Sequence, residues 1–562
     1  MQEIEQLQLL STPSGYPPEP GIQYGEVFTR RWVVDLILDL VGYEPESDLS
    51  GRVIVEPSCG AGAFLLPIVE RLIGSAQRHG RDLSSLGPAI RAYDLSEANA
   101  QVARKSVALM LEDAGAGEAT ASQLVSEWIS TGDFLLSDLD TGGSDYVVGN
   151  PPYIRLEGVS PATMQEYRRR YPTMRGRSDI YVGFIERALT LLRRGGMLSF
   201  ICADRWMRNQ YGAKLRDFVS SEYAVDAVIT MHEVNAFEDE VSAYPAVVVF
   251  RNGPVGTSVV AEARREFGPE ESSRLSTWVA GTERSGLQLP TVVAARVEGW
   301  PKGPDLWPAA SPQRLKIIAD LERGFPPLED SRTGTRVGIG LATGCDEVYL
   351  TTDRGLVEPD RLLPMLKAAD LASGKREWSG TYLVNPWEDR RLVDLEEFAQ
   401  LAHYFESSQA KLRARHIARR RPNTWYRTID RVDPQLADRP KLLLPDLKAA
   451  AHPVLDSGGF YPHHNLYFVV SDAWDLEVLG GLLLSDVANL FVGTYCVKMR
   501  GGCYRFQAQY LRRIRVPDPE SLTRLQREGL ASAFRARNVE EATRIALQIY
   551  GLDGLPSKIG PW

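Results

Sequence analysis

The chain has 562 residues, is 44% hydrophobic and 24% charged, and carries a formal net charge of −9; this is globular composition, with material for roughly two to four domains, and it excludes a disordered or fibrous chain. No apolar run is long enough for a membrane helix, no signal peptide opens the chain, and the five cysteines (Cys59, Cys202, Cys345, Cys496 and Cys503) lack paired zinc spacing, so reduced thiols, a cytoplasmic location and no metal site are expected. The acidic balance leaves a nucleic-acid partner open, because a binding cleft needs only a local positive field.

In chain order, apolar periodicity predicts helices near 31–41, 63–73, 96–113, 180–193 and 210–220, alternating with strands near 53–56, 89–93, 145–148, 197–202, 225–230 and 245–250. Such alternation predicts an α/β fold with a doubly wound, mostly parallel sheet, which binds ligands at the carboxyl ends of its strands. From 253 to 312 the pattern weakens into Pro, Gly, Trp and charge, as in Gly299-Trp300-Pro301-Lys302-Gly303-Pro304, and reads as a connecting region with room for some strands of its own. Residues 313–562 read as a second, mixed α+β domain, ending in one or two amphipathic helices between Pro519 and Tyr550.

The first strand ends in an acid and a small-residue loop, Val53-Ile54-Val55-Glu56-Pro57-Ser58-Cys59-Gly60-Ala61-Gly62-Ala63-Phe64-Leu65. Glycines at 60 and 62 allow close backbone approach to a ligand. Leu65 stands where a dinucleotide fingerprint needs its third glycine, and the Glu56 carboxylate would oppose a pyrophosphate. It would suit a cationic ligand, such as the amino-acid part of S-adenosylmethionine. Asp94, followed by Leu95, ends the next strand, where an acid typically holds ribose hydroxyls. The separation from Glu56 exceeds the usual ~20 residues, so the stretch from Gly74 to Pro88 reads as an insertion. A third acid, Asp133, is placed to accept from an adenine amino group, with Phe134 lining the adenine pocket.

Asn150-Pro151-Pro152-Tyr153 follows the apolar run Tyr146-Val147-Val148-Gly149. The prolines donate no N–H and stiffen the loop, while their carbonyls remain free to accept. With an amide in front and an aromatic face behind, the loop is a cradle for a planar amine, such as the exocyclic amino group of a base. Each of these features alone is explained by a solvated strand end or a proline-stiffened turn. Three acids in order, followed by this tetrapeptide, define a candidate site.

On these motifs the chain resembles the class I S-adenosylmethionine-dependent N6-adenine DNA methyltransferases of gamma-type order, TaqI-like, from type II restriction–modification systems. The resemblance is good over residues 20 to 252 and only by type beyond. It includes Gly25-Glu26-Val27-Phe28-Thr29, which would place Thr29 near the methionine moiety. It includes Asp179-Ile180-Tyr181-Val182-Gly183-Phe184-Ile185-Glu186, with Phe184 stacking on the cofactor adenine. Leu192 to Ile201 resembles the helix–turn–strand that follows. Phe237, within the segment 233–243, falls where the family sets an aromatic against a flipped base.

The resemblance implies that the Asn150 side chain and the Pro151 carbonyl accept both amino hydrogens of adenine, localising the nitrogen lone pair for direct attack on the methyl group. That is chiefly an orientation effect, with no covalent enzyme intermediate. The base must leave the duplex, and stacking on Tyr153, with Phe237 against it, would return about 1–3 kcal/mol. Residues 1–252 would be the catalytic domain and 313–562 a target recognition domain for double-stranded DNA. In the latter, the basic stretch Lys411 to Arg421 and Trp425-Tyr426-Arg427 suggest Arg419 and Arg420 on phosphates and Trp425 as a stacking platform. Arg500 and Arg505, around Gly501-Gly502, are candidates to read guanine. A separate cognate restriction endonuclease is implied as functional partner, with no nuclease domain ahead of the first motif. A cytosine-N4 DNA methylase, an RNA base or protein glutamine methyltransferase, and a non-catalytic DNA-binding subunit are the alternatives.

Overall fold

Among the described residues of the first unit, ten strands form one sheet: β1 (Ile54–Glu56), β2 (Ile90–Asp94), β3 (Ile129–Thr131), β4 (Ser144–Gly149), β5 (Leu192–Ala203), β6 (Ala224–Thr230), β7 (Pro245–Arg251), β8 (Thr257–Ala263), β9 (Leu287–Gln288) and β10 (Val292–Glu298). The computed structural model describes residues 27–139, 141–154, 158–239, 244–308, 310–499 and 502–556. Gly25, Glu26, residues 240–243, Arg500 and Gly501 lie outside that set. The chain divides into two compact units, Met1–Pro312 and Gln313–Trp562.

The sheet order is β3-β2-β1-β4-β5-β7-β6-β8-β10-β9. β1 to β5 pair parallel, and β7 runs against both neighbours. Side chains alternate faces along each strand. Ile54, Val148, Ile201 and Val247 join one core, whereas Val55, Val147, Phe200 and Val248 join the other. Both faces are therefore covered by helices, which is why the central strands read as unbroken apolar runs. The chain winds from β1 outward to β2 and β3, then returns to β4 on the other side of β1. That reversal is a topological switch point, where open α/β sheets hold ligands. The loops after Glu56 and Gly149 meet there, through a hydrogen bond between Ser58 and Asn150.

The segment 253–312, read from the sequence as a connection with room for strands, does carry strands and is more than a connection. β8 pairs parallel with β6, and β10 pairs antiparallel with β8, so the segment extends the same sheet. Its Trp307 is fully buried, 5.0 Å from Trp206 and 5.3 Å from Trp300. Pro- and Gly-rich surroundings hid these strands from periodicity. Likewise, part of the supposed insertion after Gly74 continues the helix Leu65–Arg78, and the rest ends in the 3-10 turn Leu83–Ala89.

The second unit is mixed. One antiparallel sheet orders Arg336–Ile339, Leu466–Val470, Lys441–Pro445 and Val454–Asp456; a second joins Leu350–Thr351, Tyr382–Val384, Leu362–Leu366 and Tyr461–Pro462. The expected tail helices are Arg524–Ala536 and Val539–Tyr550. No single described helix is long and apolar enough to cross a membrane; the apolar pair Leu476–Leu484 and Asp486–Tyr495, bent by 61°, is largely buried.

One ion pair is completely buried here. Lys441 Nζ lies 2.8 Å from Asp456 Oδ2 and donates to the carbonyls of Leu436, Ala437 and Arg439, while Arg376 donates to Asp456 Oδ1 at 2.7 Å. Burial pulls the Lys441 amine below its usual range. Removing one member strands the other charge in the core. Asp456→Ala is expected to lower urea-unfolding stability by about 3–5 kcal/mol; a wild-type midpoint in that variant would contradict the burial argument.

Candidate active site

The loop after β1 is tied to the end of β2 by backbone bonds. Cys59 N–H donates to the Tyr93 carbonyl, Gly60 N–H to Asp94 Oδ2 and Ser96 N–H to Asp94 Oδ1, each at 2.8 Å. Gly60 and Gly62 take left-handed φ angles of +53° and +108°, which L side chains avoid. Asp94 thus holds the β1 loop through Oδ2 and its own turn through Oδ1, and each oxygen keeps a lone pair for a ligand hydroxyl. Beside it, Leu95 is 60% exposed, a large apolar side chain open at the carboxyl end of β2.

Glu56 is 1% exposed, and its Oε2 has no hydrogen-bond partner. Burial, and then the charge of Asp94, hold its carboxyl well above the usual carboxylate range. A buried acid without a partner is unfavourable, and a cation delivered to it relieves the cost. This orphaned acid, beside the glycine loop, fits the amino-acid end of S-adenosylmethionine. Ser58 Oγ donates to the Asn150 carbonyl at 3.0 Å, linking the β1 loop to the β4 loop.

Asn150 is held by its amide nitrogen. Nδ2 donates to the Val27 carbonyl at 3.0 Å and to Thr29 Oγ1 at 3.2 Å, while Oδ1 is buried with no partner. The Val27 carbonyl can only accept, so the nitrogen must face it and Oδ1 is left as the free acceptor. The segment carrying Val27 and Thr29 is itself fixed to the loop after β6. Thr29 bridges Phe237, Arg30 N–H donates to Ala236 O at 3.0 Å, Arg30 Nε to Phe237 O at 2.9 Å, and Glu238 N–H to Phe28 O at 2.8 Å. Phe237 meets Tyr153 edge-on at 6.4 Å, and Tyr181 flanks Tyr153 at 6.3 Å. The Tyr153 hydroxyl is buried without a partner, and burial pushes it well above its usual range.

On the other side, Asp133 accepts from Leu135 N–H at 2.9 Å and from the Tyr167 hydroxyl at 2.6 Å. Phe134 packs on Phe184, with centroids 5.3 Å apart, and on Tyr93 at 5.8 Å. Both phenylalanines are buried, so here they cover each other rather than open space. The structure therefore brings Thr29, Glu56, Ser58, Cys59, Gly60, Gly62, Asp94 and Asn150 to Tyr153, with Phe237, around the switch point. Sequence reasoning missed Val27, whose carbonyl orients Asn150, and the anchoring hydroxyl of Tyr167. A backbone acceptor has no residue signature, and the helix bearing Tyr167, Pro161–Arg170, was not foreseen.

The five cysteines are free. Burial drives the Cys59 thiol far up and that of Cys202 up to about 12, so neither is a thiolate nucleophile.

In the second unit, Trp425 is not the free platform that the sequence suggested. It is 8% exposed, with the Arg413 guanidinium 4.9 Å over its ring. Arg415 donates to the carbonyls of Trp425 and Arg427, at 2.7 and 2.9 Å, and draws the segment inward. Arg419 and Arg420 are exposed on the short helix His416–Arg420. Arg505 already pairs with Asp446 at 3.4 Å, and Arg500 lies outside the described residues. Asp346, His463 and His464 offer ligand atoms within 4.8 Å of one another, and His463 shares a 3.0 Å hydrogen bond with Asp346.

A sheet of this order, with acid-ended strands at its switch point, is the fold of a class I methyltransferase. Known proteins point the same way. The Eco57I restriction-modification methylase family matches at residues 89–237. The type II methyltransferase M.PaeR7I of Pseudomonas aeruginosa is 42% identical, over 94% of this chain and 92% of its own. M.XhoI of Xanthomonas vasicola is also 42% identical, over 94% and 97%. Among solved structures, the type IIL restriction-modification enzyme MmeI in complex with DNA is similar in fold, with TM-score 0.57 and 13% identity over 94% of this chain and 74% of that one. The chain belongs to the type II methyltransferases of restriction–modification systems.

Proposed function

We propose that this protein transfers a methyl group from S-adenosylmethionine to the N6 amino group of adenine in a short sequence of duplex DNA. The product would protect that sequence from a separate cognate endonuclease in the cytoplasm. The observation that carries this reading is the Asn150 amide, whose nitrogen is fully engaged and whose buried Oδ1 is unpaired. An unpaired buried acceptor costs about 1–3 kcal/mol, which an incoming amine N–H removes. Residues 313–562 act as the recognition domain.

When bound, S-adenosylmethionine supplies an electrophilic sulfonium methyl. Glu56 neutralises the cationic amino-acid end, Asp94 accepts from sugar hydroxyls, and Asp133 accepts from the adenine amine. Thr29, Ser58, the Cys59–Gly62 loop and Leu95 line the same place, with Phe134 and Phe184 on the adenine side. Asn150 Oδ1 and the Pro151 carbonyl take the two hydrogens of the target amine, and Pro152 keeps the loop stiff. Tyr153 and Phe237 hold the extruded base and exclude water. The chain's contribution is orientation, so no group with a pKa tuned to neutrality is needed before transfer.

The Tyr153 hydroxyl has no partner to lose. Tyr153→Phe is therefore expected to keep near wild-type turnover, whereas Tyr153→Ala loses the stacking face, about 1–3 kcal/mol or roughly 5- to 150-fold in kcat/KM. A Phe variant as damaged as the Ala variant would assign the role to the hydroxyl instead. The whole proposal is tested by sequencing host DNA, after expression, with a method that resolves modified bases. N6-methyladenine at one short motif, absent with Asn150→Ala, supports it. N4-methylcytosine at the motif would reassign the base, and unmodified DNA would sink the DNA reading.

A further inference from the structure

The second unit holds a groove of about 550 Å³ whose lining includes Trp387, Arg390, Arg391, Arg421, Arg427 and Arg431. Five arginines around one groove, in a chain of net charge −9, is a concentration of one sign. Arg390 has a carboxylate, Asp433, at 2.7 Å. Among the described residues no acid pairs with the other four.

The tryptophan lining the groove is anchored. Trp387 is 4% exposed, and its Nε1 donates to Thr428 Oγ1 at 2.7 Å. The guanidinium groups of Arg427 and Arg431 lie 5.4 and 5.9 Å from the centroid of its ring. Arg427 is 8% exposed, a nearly buried cation without an acid. Burial, and then Arg421 and Arg431, depress its pKa, so the three cations repel one another. Arg390 and Arg391 arrive on the hairpin of Trp387–Glu388 with Arg391–Leu392, turned by Asp389 and Arg390 at φ +43° and +64°. Both turn residues are left-handed without being glycine, a conformation kept where the fold over-determines it. Apart from Asp433 on Arg390, no carboxylate among the described residues pairs with these arginines. An anion in the groove would offset their charge.

We infer that the groove of Arg391, Arg421, Arg427 and Arg431 around Trp387 is a contact site for the sugar–phosphate backbone of duplex DNA, setting affinity and register rather than sequence. The inference rests on the DNA reading given above. A polyanion fits better than a single anion because the lining arginines come from two separate segments. Arg391, Arg421 and Arg431 are exposed, and the exposed Arg419 and Arg420 lie just before Arg421 in the chain. Successive phosphates need such a strip, whereas one free phosphate needs a closed pocket.

The test measures affinity of the full chain for duplex DNA across salt, with wild type, the triple variant R391A/R421A/R431A and its lysine counterpart R391K/R421K/R431K. Each phosphate that is no longer neutralised lowers the slope of log K against log salt by about one. The alanine variant is expected to lose about two to three units of slope, equally on sequences with and without the methylation motif. A fourfold rise in salt would then cost it about 15- to 60-fold less affinity than it costs wild type. The lysine variant should keep the slope, because phosphate neutralisation needs only charge. Cofactor affinity and the thermal midpoint serve as controls for folding. A wild-type slope in the alanine variant overturns the inference. So does a loss confined to the motif, which would make the groove a reader of bases. Slope retained against DNA but lost against inorganic pyrophosphate would also overturn it, in favour of a small-anion site. If wild type binds cofactor but no DNA, the DNA reading itself fails and takes this inference with it.

Discussion

Asn150→Ala is expected to reduce methyl transfer by about 10²–10³-fold or more while cofactor affinity stays near wild type. The substitution removes the unpaired Oδ1 acceptor and also the two bonds from Nδ2 to Val27 and Thr29. On the proposed reading, the first loss would leave one amino hydrogen of the target unbound, with its nitrogen delocalised and misaligned. The second frees the loop from the N-terminal segment. Asn150→Asp separates these effects. It keeps an acceptor but sets an oxygen against the Val27 carbonyl, so it should lose activity through displacement of the loop and also destabilise the unit. Methyl incorporation from labelled cofactor, with isothermal titration of the cofactor alongside, gives both readouts. Substantial transfer by Asn150→Ala would show that the Pro151 carbonyl suffices to orient the amine.

Glu56→Gln is expected to stabilise the cofactor-free protein while abolishing its cofactor binding. Glu56 is buried, its Oε2 is unpaired, and its carboxyl is held well above the usual range by burial and Asp94. A folded-state value above the unfolded one means that the folded protein binds the proton more tightly. The associated stability is fully present below the ordinary glutamate value. It is lost as pH rises from there through the raised value, after which the curve is flat. At neutral pH the acid therefore costs stability, and glutamine, which has no charge to bury, removes that cost. The expected gain is about 1–3 kcal/mol, or several degrees in midpoint, and the pH slope of stability should shrink. On the proposed reading, the cofactor's cation would repair the same defect in wild type. Saturating S-adenosylmethionine should raise stability by about 2.7 kcal/mol at a hundredfold excess over Kd, and that rise should vanish in the variant. Binding to wild type should also release a proton below the raised value, visible as dependence of the binding enthalpy on buffer. An unchanged thermal shift in Glu56→Gln would move the amino-acid end of the cofactor elsewhere.

Strand ends were the most legible feature of the chain, because a strand, a small-residue loop and a helix follow one another locally. Glu56, Asp94 and Gly149 fall at the ends of β1, β2 and β4. Less legible were β3, only three residues long, and the strands after residue 253, whose pattern is diluted by Gly and Pro. Trp425 shows the limit from the other direction. Its basic, aromatic context reads as a binding surface, yet Arg415 ties its carbonyl inward and the ring joins the core. Composition cannot tell a platform from a buried anchor when both need the same residues.

By itself the sequence determined which groups stand at the switch point, since the order of strands and the loops that end them are written locally. Tertiary structure decided what those groups are free to do. Asn150 and Val27 are 123 residues apart, and only the return of the N-terminal segment turns the amide so that its oxygen is left unpaired. The groove around Trp387 arises the same way, from a hairpin and a segment some 40 residues later that share one tryptophan. Local spacing sets the direction of a side chain along its own element, but whether its polar atoms meet a partner depends on distant chain arriving beside it.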